Sequence, residues 1–403
     1  MSDFVAKSLC VLGRQPALGL AELESLYGAK HLKPIRGAAL LDVPAEDINF
    51  KRLGGTIKTA RVLANLPYTD WNQLMHYLRV NIPKHLQHLP TGKFTFGLSV
   101  YGMMVNVPEI NRSMLEIKKV IKTGGRSARI VPNKTTSLSS AQVLHNKLTH
   151  KGAWELILIN DRQQTILAQT LFVQDIEAYA ARDQARPARD AKVGMLPPKL
   201  AQIIINLALG APEKKHPGAE LSRFMVLDPF CGTGVILQEA LMMGYRVVGT
   251  DIEPRMVDYT TRNLKWLYQK YPQIQGSMYV EEADATSYRW QMFSTIASEA
   301  YLGRPLASLP SPEKLGEIIN DVNTIVKKFL QNLRPQLRDN QRLCIAVPAW
   351  QISAGKFKHL PVLDKLTDMG YNRLSFSHVK NNDLIYFREN QIVAREILVL
   401  EKA

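Results

Sequence analysis

A glycine-rich segment between two carboxylates is the part of this 403-residue sequence best suited to chemistry. Asp228 directly precedes residues 229–234, which read Pro-Phe-Cys-Gly-Thr-Gly, and Asp251 follows 17 positions after Gly234. Glycines let the backbone approach a ligand closely, and a carboxylate at the end of the next strand can accept two hydrogen bonds from a ribose diol. The spacing predicts a site for a nucleoside-containing cofactor.

The residues around the glycines narrow the choice of cofactor. A phosphate-binding P-loop needs Lys and then Ser or Thr after its last glycine, whereas Val235 and Ile236 stand there. A dinucleotide site needs a third glycine, which Leu237 replaces, and Asp228 would repel a pyrophosphate. S-adenosylmethionine carries a sulfonium and an ammonium group and no phosphate. The sequence therefore predicts S-adenosylmethionine as the cofactor.

Residues 228–234 resemble the first motif of class I methyltransferases that modify nucleic acids, especially the THUMP-containing tRNA guanosine-N2 methyltransferases of the position-ten type. Residues 182–190, with alternating Arg and Asp, are similar to the segment that leads into the catalytic domain of that family, as are residues 194–202. Residues 53–58 resemble its N-terminal domain. The resemblance implies an enzyme, an S-adenosylmethionine-dependent tRNA (guanine-N2-)-methyltransferase.

The expected architecture follows from this resemblance and from the pattern of apolar segments. We expect an N-terminal ferredoxin-like α+β domain at 1–66 and a THUMP-type RNA-binding domain at 67–178. A charged linker at 179–198 should precede a methyltransferase domain at 199–403, in which Pro197 and Pro198 suit the start of a helix. The last domain should be a Rossmann-like, doubly wound α/β sheet with an antiparallel edge.

Strands and helices alternate regularly in the predicted methyltransferase domain, which favours a doubly wound sheet whose ligands lie at the carboxyl ends of its strands. The predicted strands are 224–229, 246–251, 278–282, 294–298 and 342–348, followed by an edge pair at 374–379 and 392–400. The predicted helices are 234–243, 255–269, 313–333 and 359–369.

The resemblance also implies which residues hold the cofactor. Asp228 and the turn after it would face the methionine part, Asp251 the ribose, Ile252 the adenine ring and Asp284 the adenine amino group. All three carboxylates are predicted at successive strand ends. The turn residues assigned to this site are Pro229, Phe230, Cys231, Gly232, Thr233 and Gly234.

The catalytic residues should lie after the fourth strand of the domain. Enzymes that methylate exocyclic amines typically have Asp or Asn, two prolines and an aromatic residue there, because the delocalised lone pair of the amine must be oriented and the base must be stacked. This chain has Glu299, Ala300, Tyr301 and Leu302 before Gly303. We predict that Glu299 accepts the amine proton and that Tyr301, shifted by one position, stacks on the base.

Positive charge is concentrated upstream of the methyltransferase domain. The net charge is +15, and residues 51–150 hold 15 Lys and Arg against 3 Asp and Glu. Clustered cations suit a polyphosphate backbone and bind it with strong salt dependence. The expected partner is tRNA, with predicted contacts from Lys118, Lys119, Lys122, Arg126, Arg129, Lys134 and Lys147.

Two other functions remain open at this stage. The altered loop at 298–303 also fits a cofactor-binding but catalytically silent RNA-binding protein, and the first motif occurs in DNA amino-methyltransferases as well. A small activator subunit, which some relatives require, cannot be read from the sequence.

Composition indicates a cytoplasmic location. Cys10, Cys231 and Cys344 form no CxxC pair, so neither a disulfide framework nor a metal site is expected. No apolar run approaches a membrane span of about 20 residues, and no signal sequence is recognised.

Overall fold

The computed structural model describes residues 4–190, 195–210, 221–306, 308–389 and 391–403. Gly194, within the resembling segment 194–202, lies outside these ranges. The chain divides into two compact units. The first contains residues up to Pro16, Lys30–Lys51 and Thr56–Ala178; the second contains Ala17–Ala29, Arg52–Gly55 and Tyr179–Ala403.

The first unit is built on an eight-stranded sheet with the order β2-β3-β1-β4-β8-β7-β5-β6. Its strands are β1 (Ser8–Leu12), β2 (Leu32–Ile35), β3 (Ala38–Leu41), β4 (Thr56–Leu66), β5 (Phe94–Tyr101), β6 (Ala128–Ile130), β7 (Ala153–Asp161) and β8 (Gln164–Val173). The helices in this half of the sequence are α1 (Pro16–Tyr27), α2 (Trp71–Leu86), α3 (Val107–Thr123), α4 (Ser140–His145) and α5 (Ile176–Gln184). Strand β4 pairs with β1 on one side and β8 on the other, so residues 1–66 and 67–178 contribute to one sheet.

Helices α2 and α3 begin where the sequence places a side-chain acceptor. Asp70 accepts from the amide of Gln73, and Asn106 accepts from the amide of Glu109, which satisfies amides that have no partner within the helix. Both helices bury apolar residues against a core that includes Phe94. This packing gives α3 an apolar face, and it leaves Lys119 and Lys122 exposed.

The second unit contains a nine-stranded mixed sheet. Its strands are β9 (Met225–Asp228), β10 (Arg246–Asp251), β11 (Met278–Glu282), β12 (Thr295–Glu299), β13 (Arg342–Ser353), β14 (Lys356–Lys358), β15 (Tyr371–Arg373), β16 (Ile385–Tyr386) and β17 (Val393–Lys402). Its other helices are α6 (Pro198–Leu209), α7 (Val235–Met242), α8 (Pro254–Lys270) and α9 (Pro312–Leu333).

The strand order in this sheet is β11-β10-β9-β12-β13-β17-β15, with β14 beside β13 and β16 beside β17. Strands β9 to β13 are parallel, and β17 runs antiparallel to β13. Helices α6, α7 and α8 share one apolar core with the sheet, and α9 contributes to a second core. The predicted doubly wound fold with an antiparallel edge is confirmed.

Two predicted elements near the carboxyl end are wrong. The helix expected at 359–369 is a short 3₁₀ turn, Pro361–Lys365, in which the amide of Val362 donates to the Asn323 side chain at 2.7 Å. The strand expected at 374–379 is replaced by β15, Tyr371–Arg373. Within the segment predicted as a strand, the amides of Ser377 and His378 donate to the Glu24 carboxylate at 2.6 and 3.1 Å.

A buried polar cluster joins α1 to the rest of the second unit. The Glu22 carboxylate is fully buried and accepts from the amides of Gly54 and Gly55 at 2.9 and 2.8 Å. The Asn206 side chain on α6 donates to the same carboxylate at 2.7 Å and accepts from Arg52 Nε at 3.0 Å. Since buried polar groups need partners, these contacts fix α1 against α6.

Among the described residues, the search for a helix long and apolar enough to span a membrane finds none.

Candidate cofactor and substrate site

The strand order reverses between β9 and β12, which are neighbours in the second sheet. Successive crossovers then leave the sheet in opposite directions, and a crevice opens at the carboxyl ends of these two strands. Asp228 ends β9 and Glu299 ends β12. The topology therefore brings a predicted cofactor residue and a predicted catalytic residue to one crevice.

The glycine-rich turn after β9 has the backbone needed for close approach to a ligand. Gly232 and Gly234 have φ values of +52° and +82°, which side chains disfavour. Among the described residues, a Cβ on Gly232 would meet only the Phe230 carbonyl oxygen, at 3.9 Å, so this glycine faces open space within that part of the structure. Thr260 Oγ1 donates to the Gly232 carbonyl oxygen at 2.8 Å and holds the turn in place.

Asp251 lies at the end of β10, beside this turn. Its Oδ2 accepts from the Gly232 amide at 2.9 Å and its Oδ1 from the Glu253 amide at 3.0 Å. A carboxylate offers about four lone-pair positions, so acceptor capacity remains for a diol. The next residue, Ile252, is 66% exposed although it is apolar. This combination suits a ribose and the flat ring attached to it.

Asp284, predicted to bind the adenine amino group, lies just after β11 and is exposed. Its Oδ1 accepts from the amide and the hydroxyl of Thr286, each at 2.8 Å. These bonds fix the side chain in a local turn. The described residues contain no group of three or more His, Cys, Asp or Glu arranged to hold a metal ion.

Asp228 is buried at 2% exposure and accepts from Ser298 Oγ at 2.6 Å and from the Phe230 amide at 3.3 Å. Burial raises the pKa of Asp228 to about 8. The two hydrogen bonds lower this pKa, whereas the nearby charges of Asp251 and Glu299 raise it further. The carboxyl group is therefore largely protonated at neutral pH. Asp228 therefore carries less negative charge in this structure than the sequence led us to expect.

This raised pKa predicts how stability changes with pH. Between about pH 4 and pH 8 the folded protein binds a proton on Asp228 that the unfolded chain releases, so the stability that this group contributes is lost as pH rises. Asp228→Asn removes the titration. We expect the unfolding free energy of this variant to rise relative to the wild type across that window, by about 6 kcal/mol at most, and to level off above it.

Urea denaturation at several pH values measures this difference. Asp258→Asn is the matched control, because the Asp258 side chain is 60% exposed and forms an ion pair with Arg262 within its own helix. Its difference from the wild type should stay nearly constant with pH. A constant difference for Asp228→Asn over the same range would contradict the prediction.

Glu299 and Tyr301 both lie at the crevice, but in different surroundings. The Glu299 side chain is 16% exposed and forms an ion pair with Arg395 on β17. Burial raises the pKa of Glu299, and Arg395 lowers it in opposition. Tyr301 is 42% exposed, so its ring is accessible to a stacking partner. No sequence pattern indicates Arg395, which is 96 residues away from Glu299.

Residues 182–190 pack along the far side of the glycine-rich turn. Asn263 on α8 connects this segment to the turn. Its Oδ1 accepts from the Ala188 amide, and its Nδ2 donates to the carbonyl oxygens of Ala188 and Thr233, each at 2.9 Å. Arg186 donates to Thr233 Oγ1 at 3.3 Å. The segment thus supports the turn from behind. Asn263 was not predicted, because an Asn inside an amphipathic helix carries no distinguishing pattern.

The predicted RNA-binding cations lie in the first unit. Arg126 has a structural role, because its guanidinium donates to the carbonyl oxygens of Leu86, Pro90 and Gly92 beyond the end of α2. Arg129 donates to Asn146 Oδ1 at 3.1 Å and is otherwise exposed. Lys118 is half-buried, and the remaining cations of this group are exposed: Lys119, Lys122, Lys134 and Lys147.

No family model matches the chain. It is 43% identical over 125 residues to the tRNA (guanine(10)-N2)-dimethyltransferase of Methanothermobacter thermautotrophicus, which covers 30% of this chain and 32% of that one. It is 28% identical over 191 residues to the protein of the same name from Methanocaldococcus jannaschii, covering 45% and 48%. The matched region thus spans less than half the length of these relatives.

Solved structures extend the likeness to the whole chain. The crystal structure of TrmN from Thermus thermophilus superposes with a TM-score of 0.51 and 16% sequence identity, covering 98% of this chain and 99% of that one. At this identity the likeness concerns the fold. The chain therefore has the fold of TrmN from Thermus thermophilus, and part of its sequence is similar to the tRNA (guanine(10)-N2)-dimethyltransferases of these two organisms.

Proposed function

We propose that this chain is an S-adenosylmethionine-dependent methyltransferase that modifies the N2 amine of a guanosine in tRNA, in the cytoplasm. The observation that carries the proposal is the crevice between β9 and β12, where an open glycine turn and Asp251 face the same region as Glu299. The names of the relatives support the substrate, which they give as guanine 10 of tRNA.

The residues present fit this cofactor. Gly232 leaves open space where a side chain would stand, Asp251 retains acceptor positions for a diol, and Ile252 offers an exposed apolar surface to a ring. Asp228, with its raised pKa, can lose its proton when a cationic group comes close, because an adjacent positive charge favours the ionised form. Bound S-adenosylmethionine supplies an electrophilic methyl group on a sulfonium sulfur.

Glu299 has the proton-accepting role in this proposal. It accepts a hydrogen bond from the guanine amine and orients the nitrogen lone pair toward the methyl group. When the amine nitrogen accepts the methyl group that the bound cofactor would supply, Glu299 would take the proton that the amine releases. Tyr301 stacks on the base, which must leave its helical stack to enter the crevice.

Methyl transfer to unmodified tRNA tests the proposal. The full chain is incubated with labelled S-adenosylmethionine and a tRNA transcript, and the modified nucleoside is identified by mass spectrometry. We expect N2-methylated guanosine, and no label in a transcript that carries inosine at position 10, because inosine lacks the amine. Duplex DNA should not compete. Cofactor binding without transfer to any tRNA would instead identify a catalytically silent RNA-binding protein.

We also propose that residues 67–178 form a THUMP-type domain that binds the tRNA backbone. Exposed lysines on and near α3 support this role. Replacing Lys119, Lys122 and Lys134 together by Gln should weaken tRNA binding and reduce its salt dependence by about one unit of slope for each phosphate that is no longer bound. Filter binding at several salt concentrations measures both. An unchanged slope would place the tRNA elsewhere on the protein.

A further inference from the structure

Glu299 forms an ion pair with Arg395 at the crevice. Arg395 is 4% exposed, and its Nε donates to Glu299 Oε1. The other carboxylate oxygen of Glu299 has no hydrogen-bond partner among the residues that the structure describes. Asp228, from β9, lies close enough for the Glu299 charge to raise its pKa. Side chains alternate along a strand, so the next residue of β17, Glu396, points to the opposite face.

An ionised carboxylate is an acceptor only, whereas a protonated one offers a donor beside an acceptor. Guanine presents two adjacent donors, the N1 hydrogen and the N2 amine. Adenine, cytosine and 2-aminopurine each present an amine beside a ring nitrogen that is an acceptor. An ionised Glu299 therefore matches the guanine edge and repels the ring nitrogen of the other bases. A protonated Glu299 would match the other bases instead.

We propose that Arg395, through its ion pair with Glu299, favours the ionised carboxylate and holds it toward the crevice, which makes Glu299 a guanine-selective acceptor. This inference rests on the proposed function. Burial alone favours the protonated form of Glu299, and so does the negative charge of Asp228 when it is ionised. The positive charge of Arg395 opposes both effects, because it favours the ionised form of Glu299. It is a positioning residue, because it acts on the base through Glu299.

The test compares two bases that carry the same amine. tRNA transcripts with guanosine or 2-aminopurine at position 10 differ at N1, which is a donor in guanine and an acceptor in 2-aminopurine. We expect the wild type to prefer the guanosine transcript by about 10- to 100-fold in kcat/KM, as for a well-formed pair of hydrogen bonds against a mismatched one. Competition binding and 2-aminopurine fluorescence give the same comparison without catalysis.

Variants of Glu299 and Arg395 distinguish the effect of charge on base preference from the effect of side-chain shape. Glu299→Gln places a donor beside an acceptor, so it should abolish or reverse the preference. Arg395→Gln should keep the preference at high pH and lose it as pH falls, because Glu299 then takes a proton more readily. Arg395→Lys retains the charge and should retain the preference at both pH values. Binding of S-adenosylhomocysteine reports whether each variant is folded.

The matched control is Arg373→Gln. Arg373 is also mostly buried and donates to Glu396 at 3.0 Å, the carboxylate that β17 directs to its opposite face. This variant should show the wild-type preference at every pH. The proposal is wrong if the wild type treats the two transcripts equally, or if Glu299→Gln keeps the preference for guanosine. Absence of transfer to either transcript would overturn the proposed function, while the binding preference would still decide the inference.

Discussion

Glu299→Ala is expected to reduce kcat by about 10²- to 10⁴-fold, the range typical for loss of a group that transfers a proton in the transition state. The amine would lose both the acceptor that orients its lone pair and the acceptor of its proton. The proposed cofactor residues follow other strands, and the Glu299 charge is the smallest of the contributions to the pKa of Asp228, so binding of S-adenosylhomocysteine should change by less than about threefold. Single-turnover kinetics and calorimetric titration measure the two quantities.

The control for this experiment follows from the ion pair between Glu299 and Arg395. Loss of the carboxylate removes one buried ion-pair partner of Arg395, which costs stability whatever the catalytic role. Glu299→Ala combined with Arg395→Met removes both charges and should regain stability without regaining activity. Recovery of turnover in the double variant would contradict the assignment of Glu299. Equal losses of turnover and cofactor affinity in the single variant would indicate a folding role.

Glu239→Gln is expected to lower the unfolding free energy by about 3–5 kcal/mol, because it removes the charge that a buried arginine faces. Arg182 Nε and Nη2 donate to the two Glu239 carboxylate oxygens at 2.8 and 3.2 Å, and the two residues are 6% and 0% exposed. The Tyr179 ring lies 4.6 Å from the same guanidinium. Urea denaturation of the full chain, followed by circular dichroism, measures the loss.

An exposed pair in the same unit provides the comparison. Glu317 pairs with Lys314 on α9, and both side chains are about two-thirds exposed. Glu317→Gln should therefore change stability by less than about 1 kcal/mol. Replacing Arg182 and Glu239 together by Met should recover much of the loss, since well-packed apolar residues often substitute for a buried ion pair. A loss below about 1 kcal/mol for Glu239→Gln would refute the prediction.

The central parts of the crevice were predictable because the signal is local. Residues 226–234 contain the end of a strand, the glycine turn and the start of a helix within one short segment, and Asp251 ends the next strand. Parallel strands align their carboxyl ends, so local assignments were enough to bring Asp228, Asp251 and Glu299 to one edge. The fold class followed from the same alternation of strands and helices.

The contacts that support the crevice could not be predicted in this way. Arg395 reaches Glu299 only because β17 returns antiparallel beside β13, and nothing near either residue indicates that pairing. Asn263 looks like an ordinary helix residue until the structure places it between Ala188 and Thr233. Both contacts join segments that are far apart in sequence, where a single sequence carries no information on register.

The errors near the carboxyl end have a related cause. Residues 359–369 have apolar spacing that suits a helix, and Leu360, Val362 and Leu366 are indeed buried. Their packing against the second unit is achieved with a short 3₁₀ turn, at the start of which the Val362 amide donates to Asn323 on α9. Burial was predictable from the pattern, while the contact with Asn323, 39 positions away, was not.

The path of the chain between the two units limits how such a protein can be divided or recombined. Because the second unit includes Ala17–Ala29 and Arg52–Gly55 as well as everything from Tyr179 onward, no single cleavage releases it intact. A fragment that starts at Tyr179 would lack Glu22, which Asn206 contacts. During synthesis α1 is made long before Asn206 and cannot complete this contact until α6 emerges. Gene fusion at one junction therefore cannot transfer this unit as an independent module.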